Sequence, residues 1–249
     1  MLGSMKPKTE SPPAANPPAL PESHSPKAAR ILASATELLL NRGFKGLTIA
    51  DVAHKAYVGK GTVYLYWPTK EDLLIGLIGR DFLSTTDELI ARLVADPDVA
   101  RPSRFCPVMV STARSRPLMT ALHDHNDDVL GLLTTHPRAA ALDAAIGPRA
   151  TMRVALPSWR AHGMVRTDWD PEEQAMALTA LTGGIMMSLV RPALSEGVDT
   201  LRVFAAAVTA LLGENEVGED QVRAAAADLI DFFRQGRSAI IETISSADT

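Results

Sequence analysis

Hydrophobic residues in the first apolar stretch of the chain recur at intervals of three and four positions. The pattern begins after Ser25 and Pro26, a helix cap followed by a proline that suits a first helical turn, and it ends near Gly43. Residues three and four apart share one face of an α-helix, so this spacing predicts an amphipathic helix. Its apolar face comprises Ala28, Ile31, Leu32, Ala35, Leu38 and Leu39.

The pattern then shortens into two brief helices separated by a turn. Thr48 followed by Asp51 predicts a capped helix start. A break over residues 54–59 leads into a second short helix, Lys60–Tyr66, which Pro68 ends because proline disfavours helical geometry in the residue before it. Two short helices joined by a tight turn are typical of a helix-turn-helix.

The second short helix has two chemically different faces. Val63 and Trp67 lie one turn apart and are predicted to pack on the first helix, together with the apolar residues that precede them. Lys60 and Tyr64 share another face, which presents a cation and an aromatic donor. The apolar partners predicted for the buried face are Phe44, Leu47, Ile49, Val52 and Ala53.

The rest of the chain predicts further helices and no strands. Thr69 is expected to cap a helix running from Lys70 to about Val94, and residues 97–102 are predicted to form a linker. No alternating strand pattern flanked by turn signals follows. We therefore predict an all-α fold in which residues 1–25, rich in proline, form a disordered arm. Residues 26–75 are predicted to form a three-helix domain that contains the helix-turn-helix (the head), and residues 76–249 are predicted to form a larger helical domain (the second lobe).

Within the second lobe, helices are expected at about 103–115, 117–132, 137–162, 171–191, 199–213 and 219–245. The helix at 171–191 is rich in small residues, and the one at 199–213 is rich in Ala and Val. Small residues let helices approach closely, so these two predict a helix-pair interface that a symmetry mate completes as a four-helix bundle.

Composition and charge narrow the class of protein. The 249 residues are 46% hydrophobic and contain one cysteine, Cys106, which rules out an internal disulfide framework and a cysteine-based zinc site. No apolar run is long enough for a membrane span, and no secretory signal is evident, so a cytoplasmic protein is expected.

The charge is unevenly divided along the chain. The net charge is −4, yet residues 26–80 hold eight basic against four acidic side chains and residues 81–249 carry −8. A polyanion would be attracted to the head and repelled by the second lobe.

The residues KGTVYLYW at Lys60–Trp67 and KEDLL at Lys70–Leu74, preceded by a capped helix, resemble the tetracycline-repressor (TetR) family of bacterial transcription regulators. The resemblance covers about residues 26–75. It implies that the head is a DNA-binding domain and that the second lobe is an effector-binding and dimerisation domain. The protein would then be a homodimer that binds a palindromic double-stranded DNA operator and is released by a small effector. The resemblance implies neither catalysis nor a cofactor. The competing interpretations are a helical enzyme and a helical interaction module that does not bind DNA.

Positions of DNA contacts follow from the same resemblance. Base edges would be met by Lys60, Gly61, Thr62, Tyr64 and Leu65, and phosphates by Thr48, Tyr66 and Lys70. The family usually has Gly in the turn where this chain has Tyr57, and Ser or a similar cap where it has Gly59. Because a left-handed backbone is unfavourable for an aromatic residue, we expect a shifted turn in which Gly59 supplies the flexibility and a weak cap.

Other candidate chemistry lies in the second lobe. An adaptable apolar effector pocket is predicted there, although most of the same side chains could equally fill the core. His123 and Asp127 share a helical face and could bind a metal, the alternative being a solvated helix end. Cys106 is expected to be a small core residue. The predicted pocket residues are Phe105, Met109, Met119, Met152, Trp159 and Met176.

Overall fold

The computed structural model describes residues 19–116, 118, 136–190 and 196–245. These residues contain helices and turns and no strand, which confirms the all-α prediction. We number the ten described helices in chain order: α1 (Pro26–Gly46), α2 (Ile49–Lys55), α3 (Lys60–Tyr66), α4 (Lys70–Ala95), α5 (Pro102–Arg114), α6 (Pro137–Ile146), α7 (Pro148–Ala161), α8 (Pro171–Val190), α9 (Thr200–Leu212) and α10 (Glu219–Ser245).

Helix α1 starts and ends where its sequence predicts. The Ser25 hydroxyl accepts a hydrogen bond from the Ala28 amide at 3.3 Å, and Pro26 occupies the first turn. Gly43 has φ 67° and interrupts the helical geometry, so the last residues of α1 form a separate turn. The predicted apolar face, from Ala28 to Leu39, is buried.

The expectation that residues 1–25 form a disordered arm is wrong for their last residues. Pro21–Ser23 form a 3-10 turn, and the Glu22 carboxylate accepts a hydrogen bond from Arg80 Nε at 2.6 Å. Burial would by itself raise the pKa of the Glu22 carboxyl, but the hydrogen bond and charge of Arg80 outweigh it and hold the pKa below its usual value of 4.5. Local composition missed this contact because the two partners are 58 residues apart. Residues 1–18 lie outside the described part of the chain.

Helix α4 belongs to both the head and the second lobe. It begins at a full capping box between Thr69 and Asp72 and ends at Ala95, close to the predicted Val94. Its middle packs against α10, where a Cβ added to Gly79 would clash with Ile244 Cγ2. The glycine thus allows two helix backbones to approach closely.

One predicted helix proves to be two. The segment 137–162 is divided into α6 and α7 at Gly147, whose φ of −58° and ψ of 165° are extended. Pro148 excludes the helical conformation at the residue before it, and this effect overrides the continuous apolar pattern. The predicted helices at 103–115, 171–191, 199–213 and 219–245 match α5, α8, α9 and α10. The one at 117–132 lies outside the described residues except for position 118.

Buried side chains of the head and the second lobe form one continuous cluster. In the second lobe it contains an aromatic group in which the Phe105 and Trp159 ring centroids are 5.8 Å apart, edge to face, and the Phe105 and Phe233 centroids are 6.3 Å apart. None of the described helices combines the length and apolar character needed to cross a membrane.

Candidate DNA-binding interface

The start of α2 presents a capped, exposed helix end. Thr48 Oγ1 accepts from the Asp51 amide at 3.1 Å and donates to Asp51 Oδ2 at 2.8 Å, as the cap prediction requires. Arg42 lies 3.5 Å from the same carboxylate. Thr48 is exposed, while the neighbouring Ile49 is buried, so the cap holds the hydroxyl at the surface.

The turn between α2 and α3 is a Schellman motif. The Val58 amide donates to Ala53 O at 3.0 Å, and the Tyr57 amide donates to His54 O at 3.2 Å. Tyr57 takes the left-handed position of this motif, with φ 55°. The expected shift of the turn away from Tyr57 is therefore wrong: the hydrogen-bonded geometry keeps the left-handed residue at position 57 despite its side chain.

Gly59 starts α3 without contributing the left-handed step. Its φ is −73°, and it provides no side-chain cap, although its carbonyl accepts from the Thr62 amide at 2.9 Å. The predicted weak cap at Gly59 is thus confirmed. The left-handed backbone of the turn lies at Tyr57 and not at Gly59.

Helix α3 has the two faces that its sequence predicts. Val63 and Trp67 are buried, which confirms their assignment to the core. Leu65 is 83% exposed and Tyr64 is 48% exposed, although both have large apolar surfaces. Lys60 and Gly61 are also exposed, and Thr62 is half-buried. An apolar side chain left in water beside a lysine and a phenol forms a surface suited to the edges of bases.

Tyr66 and Lys70 lie beside this face and have partners within the chain. The Tyr66 and Ser25 hydroxyls are hydrogen-bonded at 2.7 Å, so the end of α3 is joined to the start of α1. The Lys70 ammonium lies 4.1 Å from the centroid of the Phe44 ring. Partial burial lowers the pKa of Lys70, against an opposing effect of Glu71. Both side chains are half-buried.

The residues predicted to line an effector pocket are not all brought together. Phe105, Met109, Met152 and Trp159 are buried, and the Trp159 indole N–H donates to Ala100 O at 2.7 Å. Met176 is 72% exposed on α8, so the expectation that it lines a buried pocket is corrected. The spacing of apolar residues along α8 could not show which face of the helix is buried. Met119 lies outside the described residues.

The other candidate sites of the second lobe are a metal site and the thiol of Cys106. Within the described residues, no group of three or more metal-ligating side chains is placed to hold a metal ion. His123 and Asp127 fall outside those residues. Cys106 is fully buried, and burial raises the pKa of its thiol far above the usual value, in agreement with a core role.

Sequence reasoning missed one contact between the lobes, an ion pair in which Arg138 Nη1 donates to Asp72 Oδ1 at 2.9 Å. The two residues are 66 positions apart, and although Asp72 belongs to the KEDLL motif, Arg138 stands in no motif. Only the three-dimensional structure brings them together.

A helix-turn-helix with an exposed polar and aromatic face, followed by a second helical lobe, is typical of helical DNA-binding regulators. The family described as bacterial regulatory proteins, tetR family, matches residues 31–77. Residues 31–77 are thus a DNA-binding domain of the tetR type. The relatives that it matches are transcriptional regulators and not enzymes.

Two curated relatives illustrate the extent of similarity. The uncharacterized HTH-type transcriptional regulator YvdT of Bacillus subtilis is 32% identical over 79 residues, which are 32% of this chain and 41% of that protein. The regulator TtgR of Pseudomonas putida is 26% identical over 169 residues, covering 64% of this chain and 77% of TtgR. The chain thus spans less than half the length of YvdT.

Solved structures share the fold across both lobes. The fatty acid degradation regulator FadR from Bacillus halodurans has a TM-score of 0.56 at 16% identity, covering 76% of this chain and 96% of FadR. A SmeT–triclosan complex has a TM-score of 0.54 at 21% identity, covering 78% and 94% of the two chains.

Proposed function

We propose that this protein is a ligand-responsive transcriptional regulator, acting as a repressor, that binds a palindromic operator as a dimer in the cytoplasm. The observation that carries the proposal is α3, in which buried Val63 and Trp67 fix the helix while Tyr64 and Leu65 remain exposed. A helical interaction module would not need a lysine and a phenol on that same face.

The proposed contacts divide by chemistry. Lys60, Gly61, Thr62, Tyr64 and Leu65 are assigned to base edges, where Leu65 offers an apolar surface to a thymine methyl group and Gly61 permits close backbone approach. Thr48, Tyr66 and Lys70 are assigned to phosphates. When the Ser25 hydroxyl donates to Tyr66, the Tyr66 O–H is free to donate to a phosphate oxygen.

The recognition helix is tested with genomic fragments selected by the purified wild-type protein. Lys60→Ala and Tyr64→Ala are each expected to weaken binding by about fivefold or more in a gel-shift assay, since a lost base contact costs about 1–3 kcal/mol. Arg149→Ala, which removes an exposed cation from α7, is the control and should bind like wild type. Unchanged binding by both head variants would refute the assignment.

Dimerisation is assigned to the exposed faces of α8 and α9. On α8, Met176, Ala180, Gly183 and Met187 recur at helical spacing and are exposed. On α9, exposed Val203 belongs to a similar apolar face. Exposed apolar surface of this kind marks an interaction site, and two copies of this helix pair can form a four-helix bundle.

The dimer is tested by light scattering at micromolar concentration. The wild type should have the mass of two chains, and Met187→Glu should shift it toward one chain by placing a charge in the interface. Val94→Glu is a matched control, because Val94 is an exposed apolar residue on α4, away from this face. A monomeric wild type contradicts the proposed bundle.

The effector is proposed to be a small, largely apolar molecule bound in the second lobe. The buried sulfur and aromatic side chains of Phe105, Met109 and Met152 support this class, and the similar SmeT was solved with triclosan. Release of the selected DNA fragment by candidate hydrophobic compounds, but not by polar ones, is the expected result in a titration.

A further inference from the structure

Arg138, in the first turn of α6, contacts two other helices at once. Its Nη1 donates to Asp72 Oδ1 of α4 at 2.9 Å. Its Nε and Nη2 donate to the Thr243 carbonyl of α10 at 3.0 and 2.7 Å. One planar guanidinium therefore joins the beginning of α4 to the end of α10.

Both carboxylate oxygens of Asp72 accept hydrogen bonds in this arrangement. Its Oδ2 accepts from the Thr69 amide at 3.1 Å and from the Thr69 hydroxyl at 2.7 Å, which completes the capping box of α4. Its Oδ1 is left for Arg138. The Asp72 carboxylate thus bonds both Thr69 in the cap of α4 and Arg138 of α6. A change at Arg138 therefore alters the interactions of a residue that forms the cap.

The surroundings make these contacts strong. The side chains of Arg138 and Asp72 are only 15% and 10% exposed, so water screens their charges little. The carboxylate lies at the positive end of α4, and the guanidinium lies at the negative end of α10. The dipole of a helix end therefore stabilises the charge of each side chain, in addition to the hydrogen bond between Arg138 and Asp72.

We propose that Arg138 is a positioning residue for DNA binding, which sets the orientation of the head relative to the second lobe without touching DNA. The capping box that it holds comes three residues after α3 ends at Tyr66, and it contains Thr69, the residue before Lys70. Loss of the guanidinium frees the start of α4 from α10 and lets the recognition helix take a range of orientations. The effect on DNA affinity rests on the proposed function; the effect on orientation does not.

Orientation is measured by pulsed electron-electron resonance between two spin labels in one chain. Ala50→Cys on α2 and Ala227→Cys on α10 are exposed sites, whereas buried Cys106 is replaced by Ala so that it takes no label. Labelled chains are diluted with unlabelled ones so that a single pair of labels is seen. Arg138→Gln is expected to broaden the distance distribution, and Arg149→Gln, which removes an exposed arginine from neighbouring α7, should leave it unchanged.

Asp72→Asn provides a second route to the same result. It keeps an oxygen for the cap but removes the charge facing Arg138, and it carries the test alone if Arg138→Gln does not fold. The double variant is expected to broaden the distribution no more than Arg138→Gln alone, because that change already breaks the contact with Asp72 that Asp72→Asn weakens. A reduced melting temperature with an unchanged distribution would show a merely structural role and would overturn the proposal.

DNA binding is measured on a fragment selected by the wild-type protein. Arg138→Gln should weaken binding about tenfold, within the usual range of coupling between distant sites. Binding within twofold of wild type, with a narrow distance distribution, contradicts the proposal. If the wild type selects no DNA, the proposed function fails, while the distance measurement still decides whether Arg138 fixes the orientation of the head.

Discussion

At the scale of single residues, Tyr57 is the most unusual feature of the head. Its left-handed backbone is required by the two hydrogen bonds of the Schellman turn, yet its side chain is 89% exposed and gains little from packing. A non-glycine residue in this conformation costs about 1–2 kcal/mol. The turn keeps its geometry because Val58 N–H and the rest of the motif hold it there.

Replacing Tyr57 by glycine should therefore stabilise the protein. Tyr57→Gly is expected to raise the free energy of unfolding by about 1 kcal/mol, since glycine adopts φ 55° without strain. Tyr57→Ala, the control, removes the ring but keeps the Cβ and should gain little. Denaturant melts of the three proteins provide the measurement, and equal midpoints for Gly and Ala would contradict the argument.

A second residue-scale prediction concerns Glu22. Its pKa is lowered in the folded state, so its contribution is present above the usual value of 4.5 and is lost as the pH falls through the folded pKa. Glu22→Gln should lower the melting temperature at pH 7 and have a shrinking effect below pH about 4.5. Glu37→Gln, which removes a more exposed carboxylate of the head, should change the melting temperature little. An effect of Glu22→Gln that is constant from pH 7 to 3 would count against the ion pair.

At the scale of elements, the arrangement of the molecule depends on where helices cross. Helix α10 is approached by α4 at Gly79 and by α6 at Gly236, where an added Cβ would clash with Ile146 Cγ2. These close contacts set the distance between the helices that Arg138 bridges. A side chain at either glycine must displace the isoleucine that faces it.

Gly79→Ala is accordingly expected to destabilise the protein by about 1–3 kcal/mol through overpacking. The double variant Gly79→Ala with Ile244→Ala removes the clashing methyl groups and should be less destabilised than the sum of the two single changes. Thermal or denaturant unfolding of the four proteins tests this. Strict additivity would mean that the contact is not what limits the glycine.

Most elements could be predicted because their signals are local. The cap at Thr48, the two faces of α3 and the end at Pro68 each depend on a few neighbouring residues. The division at Gly147 was missed because apolar periodicity continues through it. The face of α8 that carries Met176 depends on which helices pack against it, and the partners of Glu22 lie far away in sequence. Local patterns hold no information on those contacts.

At the scale of the whole molecule, charge is divided between the lobes. The head region, residues 26–80, has twice as many basic as acidic side chains, while residues 81–249 carry −8. In the proposed function, attraction to phosphate at one end and repulsion at the other would orient the protein on DNA. The same division makes binding depend strongly on salt.

The salt dependence separates the two kinds of DNA contact. Lys70→Gln is expected to reduce the slope of log affinity against log salt concentration by about one, as for one lost phosphate contact. Tyr64→Phe, which removes no charge, should leave the slope unchanged while it weakens binding. Fluorescence anisotropy at several salt concentrations is the measurement, and equal slopes for Lys70→Gln and wild type would remove Lys70 from the phosphate contacts.

The continuous core has a consequence for modularity. Buried residues of α1 to α3 form one cluster with those of α4 and α10. The head is therefore not an independent module that can be exchanged between proteins. A chimera that takes a relative's head and joins it after residue 75 would replace the buried residues of α1 to α3, and Asp72, which pairs with Arg138, while keeping the second lobe that they contact. Exchange of DNA specificity between relatives should instead graft only the exposed side chains of α3, leaving Val63 and Trp67 in place.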